Sequence, residues 1–207
     1  VLLYFSWPFF VFYYCQTQGG IHMFKRTKAL FLIFFLSFTL FQPSWAATDA
    51  QIQAGNKLRT LKILAGYEDG SLRLDQNISR AEIATILVRV LGYENTVIVG
   101  IEDHKFKDVG DTHWASKNIK KAAKLGLVAG YPDGSFKPNQ SITFAEITAM
   151  MVRITKKDQN LQGTWPYNYI NKGREIGVVQ TENINFNKTV TRGEVAELLW
   201  NTLLVKL

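Results

Sequence analysis

The chain has 207 residues and a formal net charge of +7. Three of its 24 basic residues precede Ala47, so the 161 residues of 47–207 carry 21 basic against 17 acidic side chains, a mild excess that suits an anionic partner without identifying one. The single cysteine, Cys15, also lies before Ala47. The remainder can therefore build neither a disulfide framework nor a thiolate metal site.

The composition breaks sharply near residue 46. Ten of the 14 Phe lie before Ala47, and no Asp or Glu does. Met23 opens a pattern of export: Lys25, Arg26 and Lys28 form a basic start, 29–41 is an apolar run, and Ser44-Trp45-Ala46 puts small residues where a signal peptidase reads. The run is shorter than the roughly 20 residues that span a bilayer. Residues 23–46 are therefore expected to be a cleaved signal peptide. Residues 1–22 fit no targeting pattern and read as an over-extended start ahead of Met23, in preference to a membrane hairpin that Pro8 and the short apolar runs disfavour.

In the first repeat, 47–93, a helix near 50–64 is followed by the turn Gly66-Tyr67-Glu68-Asp69-Gly70. Ser79-Arg80-Ala81-Glu82 is then an S/T-x-x-E capping box, with Ile78 and Ile83 placed as a hydrophobic staple. Behind it Ile83, Ile86, Leu87, Val90 and Leu91 mark one face of a helix. A linker, 92–105, contains Val97-Ile98-Val99-Gly100-Ile101, read either as a short strand or as a segment packed against the bundle.

The second repeat, 106–154, is the fullest. Phe106-Lys107-Asp108-Val109 leads to His113-Trp114-Ala115, a short helix, the turn Gly130-Tyr131-Pro132-Asp133-Gly134 and the box Thr143-Phe144-Ala145-Glu146. Ile147, Met150, Met151 and Ile154 repeat the helical spacing. The third repeat, 164–205, matches at first: Trp165 aligns with Trp114 and Ile170 with Ile119. It then shortens, losing the Tyr-Pro-Asp-Gly turn, before the box Thr191-Arg192-Gly193-Glu194 and a helix with Val195, Leu198, Leu199 and Leu203 on one face. Three helix-loop-helix units make this a mainly α repeat protein.

These motifs resemble the S-layer homology family, whose units run from a Phe-x-Asp-Val…His-Trp-Ala opening through Gly-Tyr-x-Asp-Gly-x-Phe-x-Pro to a Thr-Arg-Ala-Glu box. The resemblance covers 50–205, with repeat two matching almost end to end. It implies a pseudo-threefold arrangement around a central helical bundle. It also implies grooves between units that bind secondary cell-wall polysaccharide, often through pyruvylated sugars, with the box Arg as the residue most associated with ligand.

Helix capping accounts for Ser79, Glu82, Thr143, Glu146, Thr191 and Glu194, at about 1 kcal/mol per cap. Arg80 and Arg192 are different. At the first helical position a cation meets about half a positive charge from the dipole and costs a few tenths of a kcal/mol. An incoming carboxylate would find there a guanidinium fork and open backbone amides. Replacing both with Ala is then expected to remove binding and leave helicity intact. Phe144 stands where repeat two should have its Arg, so that unit's groove and the shortened third one are both doubtful, leaving one or at most two competent. Gly193 in place of Ala is expected only to loosen the first turn slightly.

The loop residues Gly130, Tyr67, Tyr131 and Asp133 are further ligand candidates by the resemblance, although Asp69 and Asp133 also suit bracing of their turns. Trp114 and Trp165 are expected to anchor their helices in the core. The glycine turns lack the Lys-Ser/Thr of a phosphate loop and the acidic ligands of a calcium loop. His104 and His113 among Asp103, Asp108 and Asp111 read as a solvated loop and not a metal site, and no cofactor is expected. With no nucleophile elbow or paired-carboxylate signature, the expected role is a non-catalytic wall-polymer binder at the surface of a bacterium, holding itself or another surface protein there. The alternative is an interaction scaffold that has lost its sugar grooves. Neither nucleic acid nor, after signal cleavage, membrane is an expected partner.

Overall fold

A computed structural model describes residues 6–7, 10–11, 46–101, 105–183 and 185–205. The chain divides into two compact units, 1–44 and 45–207. In the first, β1 (Ser6–Trp7) and β2 (Phe10–Val11) pair antiparallel, with Ser6 opposite Val11 and Trp7 opposite Phe10. The expected signal peptide lies outside the described residues, apart from Ala46. Among the described residues no helix is long and apolar enough to cross a membrane.

The second unit is built from α1 (Asp49–Thr60), α2 (Arg80–Val90), α3 (Ser116–Lys124), α4 (Phe144–Ile154), α5 (Tyr167–Glu175) and α6 (Arg192–Leu204). In α2, α4 and α6 the Ser79, Thr143 and Thr191 side chains accept the third helical amide, and Glu82, Glu146 and Glu194 reach back to the cap amides. A fourth box, Thr48 with Gln51, opens α1. The T-x-x-Q pattern was present in the sequence and identifies this helix start too. At the other ends, Gly126 and Gly177 take positive φ of 71° and 82°. This lets Leu127 and Val178 donate back five residues into α3 and α5, to the Ala122 and Gly173 carbonyls, at 2.9 Å each. Lys62 performs the same reversal after α1 at φ 59°.

The helices pair across repeats. α2 packs on α3, α4 on α5, and α6 returns to α1, with α4 also against α6. Each second helix therefore rests on the first helix of the following repeat, and the last closes on the first. The residues before the boxes meet in the middle: Ile142 donates to Ile78 (3.1 Å), Ile78 to Val190 (3.4 Å) and Val190 to Ile142 (3.0 Å), a closed ring of backbone hydrogen bonds. All three side chains are fully buried. Around them Leu58, Ile83, Leu87, Ile119, Ile147, Met151 and Leu199 are likewise buried, each stabilising by about 1.5–3 kcal/mol relative to exposure.

Two expectations fail. Trp114 and Trp165 do not anchor the core; they are 64% and 53% exposed, and Ile119 and Ile170 do the burying instead. The Val97–Ile101 stretch does not form a strand, one of its two readings; it is a turn-rich loop in which Val97 and Val99 are 90% and 88% exposed while Ile98 and Ile101 are half-buried.

Gly130 is fixed by close approach. A Cβ there would sit 2.5 Å from a Phe106 ring carbon and 2.9 Å from the Ser135 carbonyl oxygen. Gly130→Ala is expected to cost about 1–3 kcal/mol by overpacking. Gly110→Ala, where a Cβ would meet only a Thr112 hydroxyl at 4.0 Å, should be near neutral. Chemical denaturation of the two variants against the parent measures the contrast.

Candidate functional site

The helix starts are not open to solvent ligands, because the neighbouring repeat occupies them. Arg80 and Ala81 amides donate to the Gln140 and Pro138 carbonyls at 3.0 Å each. Phe144 and Ala145 do the same to Lys188 and Phe186, and Arg192 and Gly193 to Gln76 and Leu74. Every box thus docks on the loop of the next repeat in cyclic order, which satisfies the first amides of each helix. Gly193 follows from the same docking. A Cβ there would lie 2.9 Å from the Leu74 oxygen and 3.0 Å from the Gln51 side chain, so its role is close approach and not a loosened turn.

Arg80 and Arg192 are carried into the adjoining repeat and are only 3% and 4% exposed. Arg80 donates from Nε to Phe136 O (2.8 Å), from Nη2 to Ala129 O (3.0 Å) and from Nη1 to Glu146 Oε1 (2.8 Å). Arg192 repeats this with Leu72 O (2.9 Å), Ala65 O (3.0 Å) and Glu82 Oε1 (3.0 Å). The expectation that these cations stand open to an incoming carboxylate is overturned: the carboxylates that pair with them belong to the chain. They lie 66 and 110 residues away in sequence.

Each receiving carboxylate also binds its own loop. Tyr131 OH donates to Glu146 Oε1 at 2.7 Å, and Tyr67 OH to Glu82 Oε1 at 3.3 Å. Both tyrosines hold the incoming guanidinium near their rings, at 4.7 Å for Arg80 and 5.0 Å for Arg192. Burial acts to raise the Glu146 pKa, but the Thr143 amide, the Tyr131 hydroxyl and the Arg80 charge outweigh it and hold the group below its ordinary 4.5. Asp133 accepts from the Ser135 hydroxyl (2.6 Å) and amide (2.9 Å), which lower its pKa to about 2. Asp69 does the same with Ser71. Both aspartates brace their turns. Asp108 ties the repeat opening to the same turn by accepting from the Phe136 and Lys137 amides at 2.7 Å each.

The resulting grooves differ. One, of about 180 Å³, is lined by Gly66, Tyr67, Glu82, Arg89, Trp114 and Arg192. Its cations are all neutralised within the chain: Arg192 by Glu82, Arg89 by Glu94 at 2.7 Å, and Arg73 by Asp69 at 3.1 Å. Around Tyr131 the balance is more positive. Lys107 pairs with Asp133 and Arg80 with Glu146. Lys137 instead sits 4.2 Å over the Tyr131 ring, and Arg153 contacts the Tyr169 hydroxyl at 3.3 Å. Among the described residues neither pairs with a carboxylate. The third groove, of about 220 Å³, is lined by Phe144, Lys188, Glu194 and several amide side chains. Because boxes reach forward, Phe144 falls in the groove of the shortened third loop and not in that of its own repeat. Both sequence departures coincide in one groove, and the other two keep the full Arg-Glu-Tyr set.

Asp103 and His104 lie outside the described residues. Of the other members of that cluster, Asp111 pairs with Lys120 at 2.8 Å and His113 Nδ1 accepts from the Ala115 amide at 3.2 Å.

The S-layer homology domain profile matches residues 56–84 and 105–148, the segments that carry Tyr67, Arg80, Glu82, Trp114, Tyr131 and Glu146. The chain belongs to the S-layer homology family. It is 31% identical to a surface layer protein of Brevibacillus choshinensis over 94% of its length, and 34% identical to a cell surface protein of Thermoanaerobacter kivui over 84%. A cellulosome-anchoring protein of Acetivibrio thermocellus is 32% identical over 57% of the chain. The chain spans only 18%, 24% and 29% of these relatives' lengths.

Because the box arginines are structural, Arg80→Ala or Arg192→Ala should not leave the fold intact. Each strands a carboxylate and two carbonyls, and should destabilise by about 3 kcal/mol or more, read as a lowered denaturation midpoint. Stability should also depend on acid. A carboxyl depressed in the folded state stabilises fully above its unfolded pKa and loses that contribution as pH falls through the folded value. Unfolding free energy should therefore decline as pH drops below about 4.5. Glu146→Gln should be less stable at neutral pH and show a shallower decline.

Proposed function

We propose that the chain is a non-catalytic anchoring module at the bacterial cell surface, holding itself or an attached partner to the wall by binding an anionic secondary polysaccharide. The family supports anchoring, as does the likeness to a protein named for anchoring. The observation that carries the choice of ligand is Lys137, without a carboxylate partner among the described residues and 4.2 Å over the Tyr131 ring, and Arg153, held at the Tyr169 hydroxyl, is taken as its companion. Arg153 stands seven residues after Glu146, the same offset that puts Arg89 in the Tyr67 groove seven residues after Glu82.

In this reading Arg80 and Glu146 form the floor, Tyr131 is held on them, and the charges of Lys137 and Arg153 receive the acid group of a pyruvylated sugar. A charged hydrogen bond of this kind contributes about 1.5–3 kcal/mol. Exposed Trp165, beside α5, offers an apolar face for the sugar ring, as Trp114 does at the Tyr67 groove. The Tyr67 groove, whose charges cancel internally, binds the same ligand more weakly. Gly130 and Asp133 act by shaping the turn that presents Tyr131.

Lys137→Ala with Arg153→Ala should reduce co-sedimentation with purified cell walls by roughly tenfold or more while the denaturation midpoint stays close to the parent's. Walls from which acid has removed the whole secondary polymer should no longer pellet the parent protein. Normal pelleting of the double variant would sink the assignment of this groove.

A further inference from the structure

The groove at Glu194 keeps the backbone docking of the other two but replaces their charges position by position. Where Arg192 and Arg80 enter the first two grooves, Phe144 enters this one. Arg73 and Lys137, each six residues before a cap, become Asn185; Arg89 and Arg153, each ten residues after a cap, become Asn201. The small Ala65 and Ala129, whose carbonyls accept from the box arginines, become Gln180. Asn185, Asn201 and Gln180 all line the cavity of about 220 Å³.

The electrostatics change accordingly. Among the described residues Lys188 is the one cation of the lining; it is held by Glu194 at 2.6 Å, and Glu197 adds a further carboxylate. A carboxylate-bearing ligand would meet a net negative wall here. The amides are suited to something else. Each offers two N–H donors and a carbonyl acceptor, a match for hydroxyls, which both donate and accept. Asn185 Oδ1 already accepts from the Asn187 amide at 3.1 Å, so its NH2 group is the part left to donate, while Asn201 Nδ2 reaches the Val178 carbonyl at 3.5 Å and leaves its Oδ1 to accept. Phe144 supplies an aromatic face in the same lining.

We infer that this third groove is a carbohydrate subsite for an uncharged, hydroxyl-rich pyranose, recognised by Gln180, Asn185 and Asn201 against Phe144. The inference rests on the wall-polysaccharide reading above and adds a second ligand class to it. A single polymer carrying acidic and neutral residues would then be gripped at chemically distinct points, and the neutral contact would resist salt that weakens the charged one.

The test uses the full chain, isotope-labelled, and the wall polysaccharide of the producing bacterium, intact and after mild-acid removal of ketal-linked pyruvate. The neutral polymer should shift the side-chain amide signals of Gln180, Asn185 and Asn201, with an affinity that added salt leaves unchanged. Gln180→Ala with Asn201→Ala should lower that affinity tenfold or more, while the response of residues around Tyr131 to the intact polymer persists. If the neutral polymer moves none of the three amides while the intact polymer still binds around Tyr131, the neutral subsite is wrong and the anchoring role stands. If the intact polymer binds nowhere on the chain, both fail.

Discussion

Two carboxylates, Glu82 and Glu146, hold this fold together by serving three partners each. Glu146 accepts from the Thr143 amide and hydroxyl at 2.9 Å, from Tyr131 at 2.7 Å and from Arg80 at 2.8 Å. Glu82 accepts from Ser79, Tyr67 and Arg192 in the same way. One group therefore closes a helix cap, fixes the aromatic of a turn and receives a cation from another repeat. A cap alone is a local feature worth about 1 kcal/mol. Joined to a buried guanidinium it becomes a tertiary constraint, since neither ion can remain buried without the other. The groove floor is in consequence a structural element before it is anything else.

The cyclic docking extends the same logic to the backbone. An isolated repeat would expose the first amides of its second helix and the apolar face of that helix, because both are covered by the next repeat. The ring through Ile78, Ile142 and Val190 has no free end. The last helix returns to α1 closely enough to demand Gly193. Cooperative folding of the whole 45–207 unit follows from this closure, in contrast to an open solenoid whose repeats contact only sequential neighbours.

What could be read in the sequence was what is local. The three boxes, their staples, the apolar faces of α2, α4 and α6, and the braced turns at Asp69 and Asp133 depend on residues two to five apart. The pairing of helices across repeats was not legible, and this one omission misled the reading of the site. Treating each repeat as its own unit left Arg80 and Arg192 without an acid, so an external anion was invoked. It also put Phe144 in the wrong groove. The tryptophans misled for a different reason: their place at a helix opening was read as an anchor, whereas the buried positions fall to Ile119 and Ile170 inside α3 and α5. The Thr48 cap, with Gln51 three residues on, is a local feature of the same kind as the three boxes.

The third groove shows how scaffold and ligand chemistry separate. Phe144 and Ala145 dock on Lys188 and Phe186 through backbone amides, just as the arginine-bearing boxes dock on their neighbours. The inter-repeat contact therefore does not require a guanidinium, and Lys188 can take over the neutralisation of Glu194 from within its own loop. Once the floor ion pair is local, the docking no longer requires a cation at position 144, and Phe144 packs against the core there instead. Asn185 and Asn201 keep one local contact each, to the Asn187 amide and the Val178 carbonyl, and present the rest of their amides to the groove. That all of the corresponding cations give way together, to an aromatic and two amides, is the pattern expected of a groove re-specified for a neutral surface. Random loss of function would leave some of the charges in place.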